Sequence, residues 1–508
     1  MSKEFDIRPM LNAYPDSMGG RLSDIAKVLE REEVKGAFSS FYILPSVFCS
    51  DLDRGFSVIS YDLNPELASR DDIEKIKSLG INLKLDFVLN HISVQSPEFK
   101  DILEHGEESK YADFFINWNK FWEGHGQMTE EGYIQPDPEV IKDMFFRKPG
   151  LPLLMVELPG GKKVPYWNTF YQEVTENPDG TKKYLGQMDL NIKSPLVWEY
   201  YEEVLSKLAS YGTKIVRLDA FGYAPKEVGK RNFMNEPDTW DFLKKIADMA
   251  EKHGLMVLPE VHDSYDKHSY EAICEKGYVT YDFFMPGLIL DAIENEDASY
   301  LAAWASEIIR KGLKTVNMLG CHDGIPLLDL RGLLPEERIQ GLIDTVVGRG
   351  GFVKDLHGNK NMYYQVNATY YSALGEDDKK MELARALQLF MPGKPQVWYL
   401  DLFEGKNDHE AVARAGAGGH KEINRTNLTW DMIESGLKKE TVLKQLELLK
   451  YRNYHPAFAE DSAVAVASEG SRISITWQKG KYMASIEADL KTKEYSVYRT
   501  STPSDEER

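Results

Sequence analysis

The chain has 508 residues, 42% hydrophobic and 28% charged, an ordinary globular composition long enough for one large domain with smaller ones attached. Lys and Arg total 61 against 81 Asp and Glu, and the net charge of −20 argues against nucleic acid as the main partner, because phosphate contacts need a basic face. Three cysteines, Cys49, Cys274 and Cys321, in no CxxC or Cys/His metal spacing argue against a disulfide framework and for a reducing cytoplasm. The N-terminus has no basic segment followed by an apolar core, and no run is long enough to span a membrane, so the expected location is cytoplasmic.

In chain order, GAFSSFYILP reads as an early strand. Ser69 opens the helix RDDIEKIKSLG, which stops at Gly80, and INLKLDFVLNH follows as a strand carrying Asp86, Asn90 and His91. Residues 92–193 break the pattern as a long insert. Ser194-Pro195 then starts LVWEYYEEVLSKLASYG, ending at Gly212, and TKIVRLD follows as a strand ending on Asp219. Asp238 is expected to cap TWDFLKKIADMAEKHG, which delivers LMVLPEVH with Glu260 at its end. YVTYDFFMP reads as a further strand, and YLAAWASEIIRKG hands over at Gly312 to LKTVNMLGCHDG, with His322 and Asp323 at its end. A second insert covers 324–376, and KKMELARALQLFMPG with QVWYLD forms a last helix–strand pair. After about 461, SAVAVAS, RISITWQ, YMASIEAD and EYSVYRT alternate with a period of two.

Helices that repeatedly deliver buried strands imply a parallel sheet. So many units point to an α/β chain folded as a (β/α)8 TIM barrel with two loop insertions and a small C-terminal β domain. The barrel is expected from residues 1–91, 194–323 and 377–461, the inserts at 92–193 and 324–376, and the β domain at 462–508. An open doubly wound sheet competes, but the glycine-rich turn it carries after its first strand is missing.

In such a barrel the catalytic groups sit at the C-terminal ends of the strands, so Asp219, Glu260 and Asp323 are expected to meet. Arg217 and Asp219, two apart on a strand, point to one face, and a guanidinium there keeps the carboxylate ionised, as a nucleophile requires. A second carboxyl that stays protonated serves as general acid. That pair equips a retaining glycosidase, with carboxyls roughly 5–5.5 Å apart. His91, His262 and His322 near the acids offer a metal-dependent alternative, without HxH or HExxH spacing. Cys321 beside His322 resembles a thiol dyad only on paper. Trp398 and Tyr399 read as core, and Trp167 and Phe170 either as core or as lining of a sugar site.

DFVLNH, VRLDAFGY, LPEVH and GCHDG resemble, in order, four signature regions of the α-amylase superfamily, glycoside hydrolase family 13. DRGFSVISYDLN, YYQVNATYYSALG, MPGKPQVWYL, GKNDHEAVAR and INR resemble its sucrose phosphorylase branch. The resemblance implies Asp219 as nucleophile, Glu260 as general acid/base and Asp323 as the carboxylate that holds sugar hydroxyls. It implies Arg217 as the partner of Asp219, His91 and His322 as contacts of the glucosyl unit, and a structural Asp86. Asp53 and Arg425 would close the far end of the glucose pocket, and Tyr364 and Gln365 would lie in a loop shared by donor and phosphate. The implied reaction transfers glucose to inorganic phosphate through a β-glucosyl-enzyme, with no metal and no organic cofactor. The implied partners are small-molecule substrates, neither nucleic acid nor membrane, in a monomer or homodimer.

The loop DLHGNKNMYYQVN is similar to that of sucrose 6F-phosphate phosphorylases, which implies Arg147 and His357 as holders of a fructose phosphate and Lys148 as a contact of inorganic phosphate. Basic groups in both inserts of so acidic a chain fit that reading better than solvated loop charges. Sucrose phosphorylases proper and glucosylglycerate or glucosylglycerol phosphorylases are the alternatives within the branch. Hydrolases and transglucosylases share the intermediate. A non-enzymatic scaffold of the superfamily would lack the carboxylates that this chain retains.

Overall fold

Eight short parallel strands carry the architecture of this computed structural model, which describes residues 5–178, 180, 182–355, 363–416 and 419–500. They are β1 (Met10–Ala13), β2 (Ser40–Ile43), β3 (Asn82–Val88), β4 (Thr213–Asp219), β5 (Met256–Pro259), β6 (Thr280–Asp282), β7 (Thr315–Asn317) and β8 (Lys394–Trp398). The hydrogen-bonded ladder runs β5-β4-β3-β2-β1-β8-β7-β6, so sequence neighbours pair all round the ring. Its ends, β5 and β6, lie side by side and bring the sheet close to a closed barrel. Register places Arg217 opposite Asp86 on β3 and Leu258 on β5, which aligns the functional ends of three strands.

The helices form where local chemistry starts and stops them. Ser69 accepts from the Asp72 N–H and Asp72 returns to the Ser69 backbone, a full capping box on the helix Arg70–Ser78. Gly212, at φ 82°, takes the left-handed turn that ends Pro195–Ser210. Asp238 does not cap its helix. Pro237 holds the cap position and Asp238 is the first helical residue, where its charge still suits the helix N-terminus.

Three further expectations are corrected. β1 lies in an N-terminal stretch in which no strand is expected, because MLNA is too short to show a period. β6 stops at Asp282, and Met285 already begins a helix. β7 stops at Asn317, so Asp323 sits in the loop beyond the strand, not at its tip.

Excursions after the strands build the rim. A hairpin of Phe48–Leu52 and Ser57–Leu63 follows β2, joined by a tight turn over Asp53–Gly55. Gly55 has φ 118°, and a Cβ there would come 2.1 Å from the Ser46 nitrogen, so only glycine fits. Between β3 and β4, hairpins such as Leu153–Leu158 with Lys162–Trp167 enclose a separate core of Trp118, Trp122, Trp167 and Met144. After β7, Phe352–Asp355 pairs with Tyr363–Asn367.

The barrel interior below the rim holds several paired polar groups. The Tyr42 hydroxyl donates to Asp86 (2.7 Å), and the buried Lys84 donates to Gln396 (2.8 Å) and to the Tyr281 hydroxyl. Such groups are tolerated in a core only with partners. No helix among the described residues is long and apolar enough to cross a membrane.

Four antiparallel strands, Ala463–Glu469, Arg472–Lys479, Tyr482–Asp489 and Glu494–Arg499, form the C-terminal sheet. Ile473, Ile475 and Trp477 share its buried face. Trp477 Nε1 donates to the Phe390 carbonyl (2.7 Å), and its ring lies 4.5 Å from the Arg452 guanidinium. Trp477→Ala is expected to cost about 3–5 kcal/mol, the loss typical of a large buried aromatic. A lowered midpoint in thermal unfolding, with kcat of the folded protein unchanged, is the result to look for.

Candidate active site

Arg217 lies at the centre of the site, on β4 with its side chain 3% exposed. Its Nη1 reaches Asp86 Oδ1 (2.6 Å) and Asp219 Oδ1 (2.7 Å), and its Nη2 reaches Glu260 Oε1 (2.6 Å). Asp219 closes β4, and Glu260 follows β5 directly, its backbone N–H bonded to the Leu218 carbonyl (3.2 Å). The two carboxylates of interest are thus anchored to one guanidinium. Asp86 spends its other oxygen on Tyr42 and takes no part in the open site.

Asp323 forms the opposite wall. Lys421 Nζ lies 2.6 Å from its Oδ1, Arg425 Nη2 3.8 Å from the same oxygen, and His322 Nε2 3.3 Å from Oδ2. Lys421 and Arg425 also reach Asp53, at 3.7 and 3.5 Å. At Asp53 burial is outweighed by Lys421 and Arg425, and at Asp323 by His322, Lys421 and Arg425. Both carboxyls sit below their usual range as a result.

Phe56 lies between the walls. Its ring stacks on His322 (5.1 Å, 11°) and its carbonyl accepts from His91 Nε2 (3.0 Å). The Arg217 guanidinium is 5.5 Å from the same ring. Burial pushes His91 down to about 4 and His322 to about 3, so both rings are neutral at pH 7.

The insert before β4 supplies the outer side. Phe170 packs against His91 (5.0 Å) and edge-on to Tyr223 (5.2 Å), and Arg147 lies over Phe170 (5.6 Å) and Tyr223 (6.0 Å). Trp167 is buried in the insert's own aromatic core instead of lining the sugar site. Lys148 Nζ donates to Asn168 Oδ1, and burial lowers it to about 8. Behind these groups Lys226 bridges Asp189 (2.7 Å), Asn90 (2.8 Å) and the Tyr223 carbonyl (2.7 Å), which ties the insert to the barrel.

On the second insert Gln365 is buried, with its Nε2 unpaired among the described groups. The neighbouring Asn367 donates to the Asp323 carbonyl (2.8 Å). Tyr364 lies on the same strand. Its side chain and the whole of His357 fall outside the described residues. Cys321 is buried and its thiol is pushed up to about 12, which removes it as a nucleophile. Trp398 and Tyr399 are core.

The two main acids are shifted in opposite directions. Arg217 does not serve Asp219 alone, because it is shared with Asp86 and Glu260. Burial therefore prevails at Asp219 and pushes it up to about 8. At Glu260 burial is outweighed by Arg217 and then by His262, and its carboxyl is held at about 2. Burial thus works against the charge on Asp219, while Arg217 and His262 favour the charge on Glu260.

Ligand atoms of Glu260, His262 and Asp323 come within 4.8 Å of one another, a spacing a metal ion could use. The donor set does not fit one. Both His262 ring nitrogens face carboxylates, so the imidazole turns no lone pair to a metal, and Glu260 already bears a guanidinium. Sequence reasoning missed Phe56 and Lys421 and saw His262 only as a possible ligand. The run HKEINR contains Lys421 just before the recognised INR, and that proximity is the one signal that points to it.

Comparison with known proteins shows what the chain is similar to. The family described as "Alpha amylase, catalytic domain" matches residues 64–316. A sucrose 6(F)-phosphate phosphorylase of Ilumatobacter coccineus is 52% identical over 499 residues, covering 96% of this chain and 95% of that one. A glucosylglycerol phosphorylase of Marinobacter adhaerens is 34% identical, covering 98% of both. Among solved structures, a sucrose 6F-phosphate phosphorylase from Thermoanaerobacter thermosaccharolyticum superposes with a TM-score of 0.88 at 34% identity, over 98% of this chain and 96% of that one.

The neutral histidines make a stability prediction. In the unfolded chain histidine titrates near 6.5, whereas folded His322 resists protonation down to about 3. The unfolded state therefore binds more protons below about pH 6.5, and stability must fall as pH drops from there toward 4. His322→Gln removes that contribution, and the decline in melting temperature between pH 7 and pH 4 is expected to be shallower than in the parent protein.

Proposed function

This chain belongs to the α-amylase family, and we propose that it is a retaining glycoside phosphorylase whose donor is sucrose 6F-phosphate. The observation that carries the reading is the Arg217-bridged pair Asp219 and Glu260, found in a chain whose near full-length relatives are named as phosphorylases. Two carboxyls anchored to one buried cation at the barrel mouth have the equipment for double displacement.

Donor binding excludes water and sets the glycosidic oxygen against Glu260 and C1 against Asp219. The shared proton then moves to Glu260, which passes it to the departing oxygen while the Asp219 carboxylate attacks C1. The product of this step is a β-glucosyl ester and free fructose 6-phosphate. Phosphate next attacks C1 from the vacated side, the ester bond returns its electrons to Asp219, and α-glucose 1-phosphate leaves with retained configuration.

Asp323 accepts hydrogen bonds from sugar hydroxyls and, being ionised, favours the positive charge that develops at the ring. Asp53, Arg425 and Lys421 close the inner end of the pocket. His91 and His322, neutral at working pH, contact the glucosyl unit without repelling the cationic transition state. Tyr364 and Gln365 serve the acceptor side. Inorganic phosphate is the only co-substrate in this scheme, and no metal or organic cofactor enters it.

The phosphate groups need donors within an acidic chain. Arg147, set over Phe170 and Tyr223 beside the site, is assigned to the fructose phosphate together with His357, and Lys148 to inorganic phosphate.

Incubation of the purified protein with sucrose 6F-phosphate, sucrose or glucosylglycerol, each with and without phosphate, tests the donor. Glucose 1-phosphate is expected to form fastest from sucrose 6F-phosphate and only with phosphate present. Asp219→Asn should lower kcat by on the order of 10³-fold or more. Arg147→Ala should raise KM for sucrose 6F-phosphate about tenfold, as expected for one charge-assisted hydrogen bond, and leave KM for sucrose nearly unchanged. Equal effects on both donors would remove Arg147 from the phosphate site.

A further inference from the structure

Two carboxylates explain how a glucosyl-enzyme forms, but not why phosphate removes the sugar in preference to water. His262 bears on that choice. It follows Glu260 by two residues, with its side chain 5% exposed and its ring stacked on Phe283 (3.7 Å, 20°). Nδ1 faces Asp329 Oδ2 at 3.1 Å, and Nε2 faces Glu260 Oε1 at 3.4 Å. A ring nitrogen satisfies a carboxylate only by donating, so carboxylates on both sides require the imidazolium. Burial opposes that charge, yet the bonds to Asp329 and Glu260 prevail and hold the ring up at about 9.

The charged groups around this chain are few. Arg217 and Asp323 act on Glu260, which in turn acts on Asp219, and Asp263 stands behind Asp329. Phe283 covers the face of the imidazole and offers no charge.

We propose that the His262–Asp329 pair steers the glucosyl-enzyme toward phosphate and away from water, by holding Glu260 as a carboxylate that is a poor base. The inference rests on the phosphorylase reading above. Water must lose a proton to a base as its oxygen bonds to C1 and the C1–O bond to Asp219 breaks. Glu260 is the base at hand, and with Arg217 and His262 both on it, it takes that proton poorly. Hydrogen phosphate dianion needs no base. Its anionic oxygen bonds to C1, the ester electrons return to Asp219, and glucose 1-phosphate departs as the monoanion with every proton in place. The same imidazolium favours the first step, because it stabilises the carboxylate that Glu260 becomes on giving up its proton. His262 is thus a positioning residue that acts through Glu260.

His262→Gln and Asp329→Asn in the full chain test this, with sucrose 6F-phosphate and sucrose as donors. Without phosphate, glucose release is expected to rise on the order of tenfold in His262→Gln and less in Asp329→Asn. With phosphate, glucose 1-phosphate formation falls in both. The double variant should match His262→Gln, and the acid limb of the glucose-release profile should move to higher pH. Loss of glucose release in step with glucose 1-phosphate formation would overturn the proposal, since a packing defect lowers both. So would a rise in the phosphate KM with glucose release unchanged, which would make His262 a phosphate ligand. A parent protein that forms no glucose 1-phosphate from either donor would defeat the phosphorylase reading itself, whereas a parent that forms it beside a His262→Gln variant with unchanged hydrolysis defeats only this step.

Discussion

One buried guanidinium organises the catalytic end of this barrel. Arg217 carries a single positive charge and meets three carboxyl groups, Asp86, Asp219 and Glu260. Without partners such a charge would cost several kcal/mol in a protein interior, and without the charge the acids could not lie so close together. Three carboxyl groups around one cation leave an excess of negative charge, which burial opposes. Of the three acids, Glu260 also has His262 beside it. Protonation and geometry are therefore one problem at this site.

The opposite wall solves the same problem with more cations. Asp53 and Asp323 share Lys421 and Arg425, and both acids stay ionised. The two walls thus differ in character, one with its acids shifted in opposite directions and one with both held ionised, across the stacked Phe56–His322 pair. That asymmetry suits a reaction in which protons move at one end of a sugar while hydroxyls are gripped at the other.

None of these residues is held by its own strand alone. Asp53 comes from the hairpin after β2, His91 follows β3, Glu260 follows β5, Asp323 follows β7, and Lys421 and Arg425 follow β8. The barrel fixes the strand ends, and the rim segments are tied down by Gly55, by Lys226 at Asp189 and by Asn367 at the Asp323 backbone. A rigid ring with restrained loops is what gives a pocket of so many charges a single arrangement.

Much of this was legible before any coordinates. Capped helices, glycine stops and runs of β-branched residues are local signals, and they mark seven of the eight strands, the three acids and the pairing of Arg217 with Asp219 on one face. Four-residue β1 escaped because so short a segment has no period, and Lys421 and Phe56 escaped because Lys421 lies far along the chain from Asp323 and Asp53, and Phe56 far from His322 and Arg217. The chain alone therefore determined the order of elements and which acids stand at the barrel mouth, since both depend on neighbours within a few residues. The tertiary structure alone decided how Arg217 is divided and that His262 adds its charge to Glu260. Those outcomes depend on Coulomb interactions and burial, which are set by distances across the folded site and not by separation along the sequence.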